Sequence, residues 1–175
     1  MQLTPVTQKF VLHWGEMGTK WGINRTVAQI HALLYLSQKP LHAEEIAETL
    51  SIARSNVSTS LKELQNWGIV RVVHVMGDRR DHFETLKDVW ELFHIILNER
   101  KRREFDPTIG VLKDCVADAK RGAGEDKQTQ ERLGELLDFM ETMSTAYEQL
   151  RALPTPALVK FVKTADKVKK IMGAG

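Results

Sequence analysis

The sequence has almost no thiol: Cys115 is the one cysteine in 175 residues, so no internal disulfide can form. No apolar run approaches the roughly 18 residues of a membrane span, so no spanning helix is expected. The opening stretch MQLTPVTQKF lacks the apolar core of a secretory leader, and a cytoplasmic location is the expectation. A strong charge imbalance is missing too. The formal net charge is +2, which neither demands nor excludes a polyanionic partner. Phosphate loops, nucleophile elbows and zinc-finger spacings are absent. Gly15, Gly18 and Gly22 fall in a helical pattern and make no dinucleotide fingerprint. No catalytic residue, metal ligand or cofactor is therefore assigned, and an enzyme is not expected.

What is present is helical periodicity with one interruption. Thr4-Pro5 reads as a cap with proline in the first turn, and Val6, Phe10, Trp14, Met17 and Trp21 follow at helical spacing as an inward face. A second helix is expected over about Thr26–Gln38, ended by Lys39-Pro40, and a short third over about Ala43–Leu50. "SIA" is a tight turn. A fourth helix follows with Val57, Leu61 and Leu64 inward. The period then changes. IVRVVHV is rich in β-branched residues and reads as a strand, MGDRRD as a turn, and HFET as the return strand. From Asp88 onward the pattern is helical again. Asp106-Pro107 kinks or restarts it, and RGAGEDKQ (121–128) forms a loop. Leu133, Leu136, Met140, Met143, Tyr147 and Leu150 form a heptad-like seam, and a lysine-rich helix carries Leu158 to Ile171.

Helix, helix, turn, helix, hairpin is the order of a winged helix-turn-helix. The expected fold is mainly α (α+β): a winged domain over residues 1–87 with a small β-hairpin wing, then a helical dimerisation and effector region over 88–175. A major groove admits one α-helix, and the residues that reach base edges lie towards its N-terminal half. Arg54, Ser55, Asn56, Ser58, Thr59, Ser60 and Lys62 supply short donors and acceptors or positive charge there. In the hairpin, Arg79 and Arg80 lie between Asp78 and Asp81. Arginine at a wing tip suits a narrow minor groove, and the aspartates can orient the guanidiniums. The expected partner is double-stranded DNA.

PLHAEEIAETLSIARSNVSTSLKELQNWGIVRVVHVMGDRRDHFETLKDVWEL resembles the DNA-binding core of the MarR family, and within it the GbsR-like branch, whose members include regulators of choline and glycine-betaine genes. SNVSxxLKELxxWGIV and GDRRDHF carry most of the likeness, which is strong over about Asn24–Leu97 and weak afterwards. The resemblance implies a homodimeric winged-helix transcription factor, with Ser55, Asn56, Ser58 and Thr59 on the groove-reading surface and Arg79 and Arg80 at the wing tip. Two positions depart from the pattern. His42 and Ala53 stand where each motif helix would open on Ser or Thr. Alanine is a poor cap, at a cost of about 1 kcal/mol, for which Ser51 or a phosphate could compensate.

Residues 1–87 hold 10 basic and 8 acidic side chains, while 88–175 hold 15 of each, so the first part is the expected nucleic-acid surface. The second part has more apolar helix face than so small a domain can cover. Pairing with another copy is expected, alongside or instead of an intrachain helical hairpin. Trp14, Trp21, Tyr35 and Trp90 read either as core or as the wall of a small-molecule effector pocket. The family resemblance brings in a quaternary ammonium, held by cation–π attraction, as one such effector. The expected role is an effector-responsive repressor acting on a pseudo-palindromic operator. The alternatives are a winged-helix protein-assembly module, or a metal- or redox-dependent sensor using His74 and His82 or Cys115.

Overall fold

The computed structural model describes residues 2–122, 126–158, 160 and 164. They fall in two compact units, Met1–Ile96 and Leu97–Gly175.

The first unit opens with α1 (Pro5–Lys20). Thr4 caps it, its Oγ1 accepting from the Thr7 N–H at 3.2 Å, and Pro5 occupies the first turn. The buried stripe of α1 is Val11, Gly15 and Gly18. This corrects the expected inward face: Val6 is 79% exposed, Trp21 is 50% exposed, and Phe10, Trp14 and Met17 are half-buried. The glycines decide the rotation. With no side chain at 15 and 18, α1 can lie close to its neighbour, and the aromatic rings flank that contact instead of filling it.

That neighbour is α2 (Arg25–Leu36), capped by Asn24, whose Oδ1 accepts from the Thr26 N–H at 2.8 Å. It is buried nearly all round, from Val27 to Leu34, and forms the centre of the unit. Its C-terminal carbonyls are closed from a distance. The Lys87 ammonium donates to the carbonyl oxygens of Leu34, Tyr35 and Ser37 at 2.8, 2.8 and 2.9 Å, and lies 5.7 Å from the centre of the Tyr35 ring.

A two-residue strand, β1 (Leu41–His42), leads into α3 (Ala43–Leu50). Sequence periodicity predicts no strand here. His42 also corrects the capping expectation. Its Nδ1 accepts from the Glu45 N–H at 3.3 Å, and the Glu45 carboxylate accepts from the His42 N–H at 3.4 Å, a reciprocal capping box built on histidine. Ser51 ends α3 at φ +54°, and α4 (Arg54–Asn66) follows. Ala53 makes no side-chain cap to it.

β2 (Val70–Val73) and β3 (His82–Thr85) form the hairpin, with Gly77 at φ +86° in its turn. The sheet order is β1-β3-β2, antiparallel throughout, with His42 opposite His82 and Val72 opposite Phe83. The core lies between α2, α3, α4 and this sheet. Ile30, Leu33, Leu41, Ile46, Val57 and Leu61 are almost fully buried in it. α5 (Val89–Arg100) is capped by Asp88 and sends Leu92 into the same core.

In the second unit, a five-residue π-helical stretch (Lys101–Phe105) runs directly into α6 (Asp106–Lys120). Pro107 has no N–H to give and its ring crowds the preceding turn. The widened turn accommodates it, and the regular α-helix restarts at Asp106, in line with the expected kink or restart. α7 (Lys127–Arg151) is capped by Asp126 and packs antiparallel to α6: Lys113 pairs with Glu141 at 2.8 Å and Lys101 with Glu148 at 3.4 Å. The expected seam of α7 divides between two faces. Leu133, Met140 and Tyr147 are half-buried, as is Leu137 outside the seam, while Leu136, Met143 and Leu150 are exposed, as is Phe139 outside the seam. Residues 123–125 of the expected loop, and most of the expected helix over Leu158–Ile171, lie outside the described residues.

Candidate nucleic-acid interface

α4 presents two different faces. Val57, Ser60, Leu61 and Leu64 are buried and hold it on the core. Ser60 therefore points inward, and its expected place on the outer surface is corrected: it shares the stripe of Val57 and Leu64. Arg54, Ser55, Asn56, Thr59 and Lys62 are exposed, and Ser58 is half-buried. The hydroxyls of Ser58 and Thr59 donate back to the carbonyls of Arg54 and Ser55, each at 3.2 Å; the Ser58 oxygen also accepts from Arg54 Nη1, while the oxygen of exposed Thr59 keeps its acceptor capacity. The Asn56 amide is exposed and makes no protein hydrogen bond among the described residues.

The hairpin stands beside this face. A cleft of about 330 Å³ separates α4 from the wing, and Arg54, Ser58, Lys62, Arg80, Glu44 and Asp81 are among its lining residues. The two wing arginines are not equivalent. Arg80 makes a two-pronged contact to Asp78, Nε to Oδ1 at 2.9 Å and Nη2 to Oδ2 at 2.5 Å, and its backbone N–H reaches Asp78 Oδ1 at 3.0 Å. These hydrogen bonds hold the Asp78 carboxyl well below its ordinary range. Arg79 is exposed and has no such partner among the described residues. His82 closes the base of the turn, with Nδ1 3.0 Å from the Arg80 carbonyl and Nε2 3.6 Å from Asp78.

Glu44, on α3, was not singled out from the sequence. Its Oε1 accepts from Arg54 Nε at 2.9 Å and its Oε2 lies 2.9 Å from His42 Nδ1. The Arg54 hydrogen bond is the first cause of a carboxyl pKa lowered to about 2. His42 Nδ1 thus stands within reach of both a donor and an acceptor. It caps α3 when that nitrogen is bare, and donates to Glu44 when it carries a proton.

The four aromatic residues singled out as an effector wall do not line one cleft. Trp14 and Trp21 meet edge-on at 6.5 Å and, with Trp67, His31 and Ile96, bound an apolar cleft of about 40 Å³. Tyr35 lies under Lys87 and Trp90 stacks edge-on with Phe93, and neither lines that cleft. His31 is a titratable side chain in its wall. Burial first, and the charge of Lys87 second, lower its pKa to about 4, so it is neutral, and its Nε2 has no hydrogen-bond partner. His74 is exposed while His82 is buried, and Cys115 is exposed on α6. Among the described residues no three His, Cys, Asp or Glu side chains converge to hold a metal ion, and no helix is long and apolar enough to cross a membrane.

The MarR family model matches residues 21–81, from the end of α1 to the wing tip. This segment is similar to the MarR family. Two curated proteins of Bacillus subtilis (strain 168) are similar over most of their length. The HTH-type transcriptional repressor GbsR is 23% identical over 84% of this chain and 85% of its own. The HTH-type transcriptional repressor OpcR is 19% identical over 76% of this chain and 74% of its own. A solved structure described as a transcriptional regulator superposes with a TM-score of 0.62 at 22% identity, over 91% of this chain and 99% of that one. That superposition shows a shared fold. The α4 surface and the hairpin arginines lie within or at the border of the matched MarR segment.

Proposed function

We propose that this chain is a DNA-binding transcriptional regulator of the cytoplasm, not an enzyme, and that it represses as a homodimer on a pseudo-palindromic operator. One observation carries the reading. Within one rigidly packed domain, α4 turns Arg54, Ser55, Asn56, Ser58, Thr59 and Lys62 outward, next to a hairpin that holds Arg79 and Arg80 at its tip. A helix of this kind supplies base-edge contacts in a major groove, and the hairpin supplies phosphate and minor-groove contacts. The two similar B. subtilis proteins are both named repressors. The exposed stripe of Leu136, Phe139, Met143 and Leu150 supports pairing with a second copy. The apolar cleft bounded by Trp14, Trp21 and Trp67 is, at about 40 Å³, too small as it stands to take a small-molecule effector.

The test is binding to a duplex that the wild-type protein selects from a random pool, and to its scrambled version, at several salt concentrations. Asn56→Ala should cost about 1–3 kcal/mol on the selected duplex and relax preference at one position in each half-site. Arg79→Ala with Arg80→Ala should weaken both duplexes and make the salt slope shallower, by roughly one unit per lost phosphate contact. If wild type selects no sequence and its association is insensitive to salt, the domain is an assembly module and the DNA reading fails.

A further inference from the structure

We infer that Glu44, an acidic residue lying outside α4 and the wing, is a positioning residue for DNA readout by Arg54, trading general affinity for selectivity. The inference rests on the DNA-binding reading above. Arg54 is the first residue of α4 and its long side chain is half exposed, so left alone it would sample many rotamers. The structure restrains it at two nitrogens. Nε donates to Glu44 Oε1 at 2.9 Å, and Nη1 donates to Ser58 Oγ at 2.5 Å. Nη2 has no acceptor among the described residues, and so is the nitrogen left for a base edge or a phosphate. The second oxygen of Glu44 sits 2.9 Å from His42 Nδ1, at the end of β1, a hydrogen bond in the tautomer that gives up the α3 cap. In that tautomer the carboxylate is a strut from the strand end to the start of α4. It also lines the cleft that Arg80 enters from the wing, where its charge attracts the second guanidinium.

Two consequences follow from charge and geometry. A carboxylate on a surface that meets DNA repels phosphate, so it lowers affinity for every sequence. A guanidinium fixed at two nitrogens loses less conformational freedom on binding and tolerates fewer wrong partners than a free one. Glu44 thus subtracts from general affinity while aiming Arg54, and the ratio of specific to scrambled binding is what it raises.

The experiment measures Kd and salt slope for the selected and scrambled duplexes with wild type, Glu44→Ala, Glu44→Gln, Arg54→Ala and the double variant Glu44→Ala with Arg54→Ala. Melting curves check that each variant folds. Glu44→Ala should bind the scrambled duplex more tightly and lose selectivity by about threefold to fivefold, the size of one exposed charge pair. Its salt slope should steepen by up to about one unit, because Arg54 is released to phosphate. Glu44→Gln keeps an oxygen for Arg54 Nε and should retain more selectivity than Glu44→Ala while sharing its tighter scrambled binding. In the Arg54→Ala background, Glu44→Ala should no longer change selectivity. If Glu44→Ala leaves selectivity unchanged, or lowers it equally with and without Arg54, the positioning role is overturned and the DNA reading stands. If wild type selects no duplex, both fall together.

Discussion

Gly18 and Ala28 meet where α1 crosses α2: a Cβ built on Gly18 would stand 2.5 Å from the Ala28 Cβ. No two carbons approach that closely without a shift, so the absent side chain at 18 sets the distance between the helices. Gly15 repeats the relationship one turn earlier against Gln29, whose Cγ would lie 2.6 Å from an added Cβ. The long Gln29 side chain can move aside more easily than the Ala28 methyl, so position 18 is the stricter of the two.

Gly18→Ala should destabilise the protein by about 1–3 kcal/mol, because forced helix separation outweighs the gain in helix propensity. Gly110 in α6 is the control. An added Cβ there meets nothing within 4 Å, so Gly110→Ala should stabilise by about 0.5–1 kcal/mol. Midpoints of denaturant unfolding at constant slope read both.

His31 predicts a stability loss in mild acid. Its pKa is about 4 in the folded protein against 6.5 for the unreacted side chain, burial being the main cause and Lys87 the second. Between those values the unfolded chain binds more protons, so stability is full above about pH 6.5 and falls as pH falls towards 4. The loss from this one group is about 3 kcal/mol. Below about 4.5 the carboxyls of Glu44 and Asp78, whose pKa values are lowered by arginine, begin to add their own losses. His31→Leu should flatten the curve between 6.5 and 4.5 specifically. Lys87→Met removes the second cause and should raise the His31 midpoint, read by NMR titration, while itself costing about 1–3 kcal/mol through the three carbonyls left without their donor.

The wing arginines should separate. Arg80 is already ordered by Asp78, so it gives up less entropy on binding DNA than Arg79 does. Arg80→Ala should therefore cost more affinity than Arg79→Ala, although each should make the salt slope shallower by about one unit. In an Asp78→Asn background, where Arg80 loses that partner, the two alanine variants should cost equal affinity. Equal effects of the two alanine variants with Asp78 in place would show that Asp78 does not preorder the wing.

The exposed stripe on α7 predicts an oligomer held by apolar contact. Wild type should sediment at about twice its 20.0 kDa chain mass at micromolar concentration. Phe139→Glu with Met143→Glu places two charges on a face that the single chain leaves open, and should yield a folded monomer. An unchanged mass would place the dimer contact elsewhere.

Helix and strand periodicity was enough to order the winged domain, because each element there is short, amphipathic and punctuated by its own cap or glycine. The outer residues of α4 and the arginines of the turn were legible for the same reason, since Val57, Leu61 and Leu64 mark the opposite face by spacing alone. Hydrophobicity misplaces the stripe of α1, because it ranks Trp and Phe above Gly, whereas close helix contact selects the smallest residue. Ser60 and the split seam of α7 show a related limit: spacing assigns a face, but only the neighbouring elements decide which faces are covered. His42 at the α3 cap had a sequence signal in the glutamate three residues on, yet histidine is not an expected cap. Glu44 with Arg54, Lys87 with the end of α2, and β1 with β3 had no local signal. Their partners are separated by 10 residues or more, from 10 for the first pair to about 50 for the second. Contacts of that kind depend on where the folded backbone brings distant segments, and local periodicity carries no information about it.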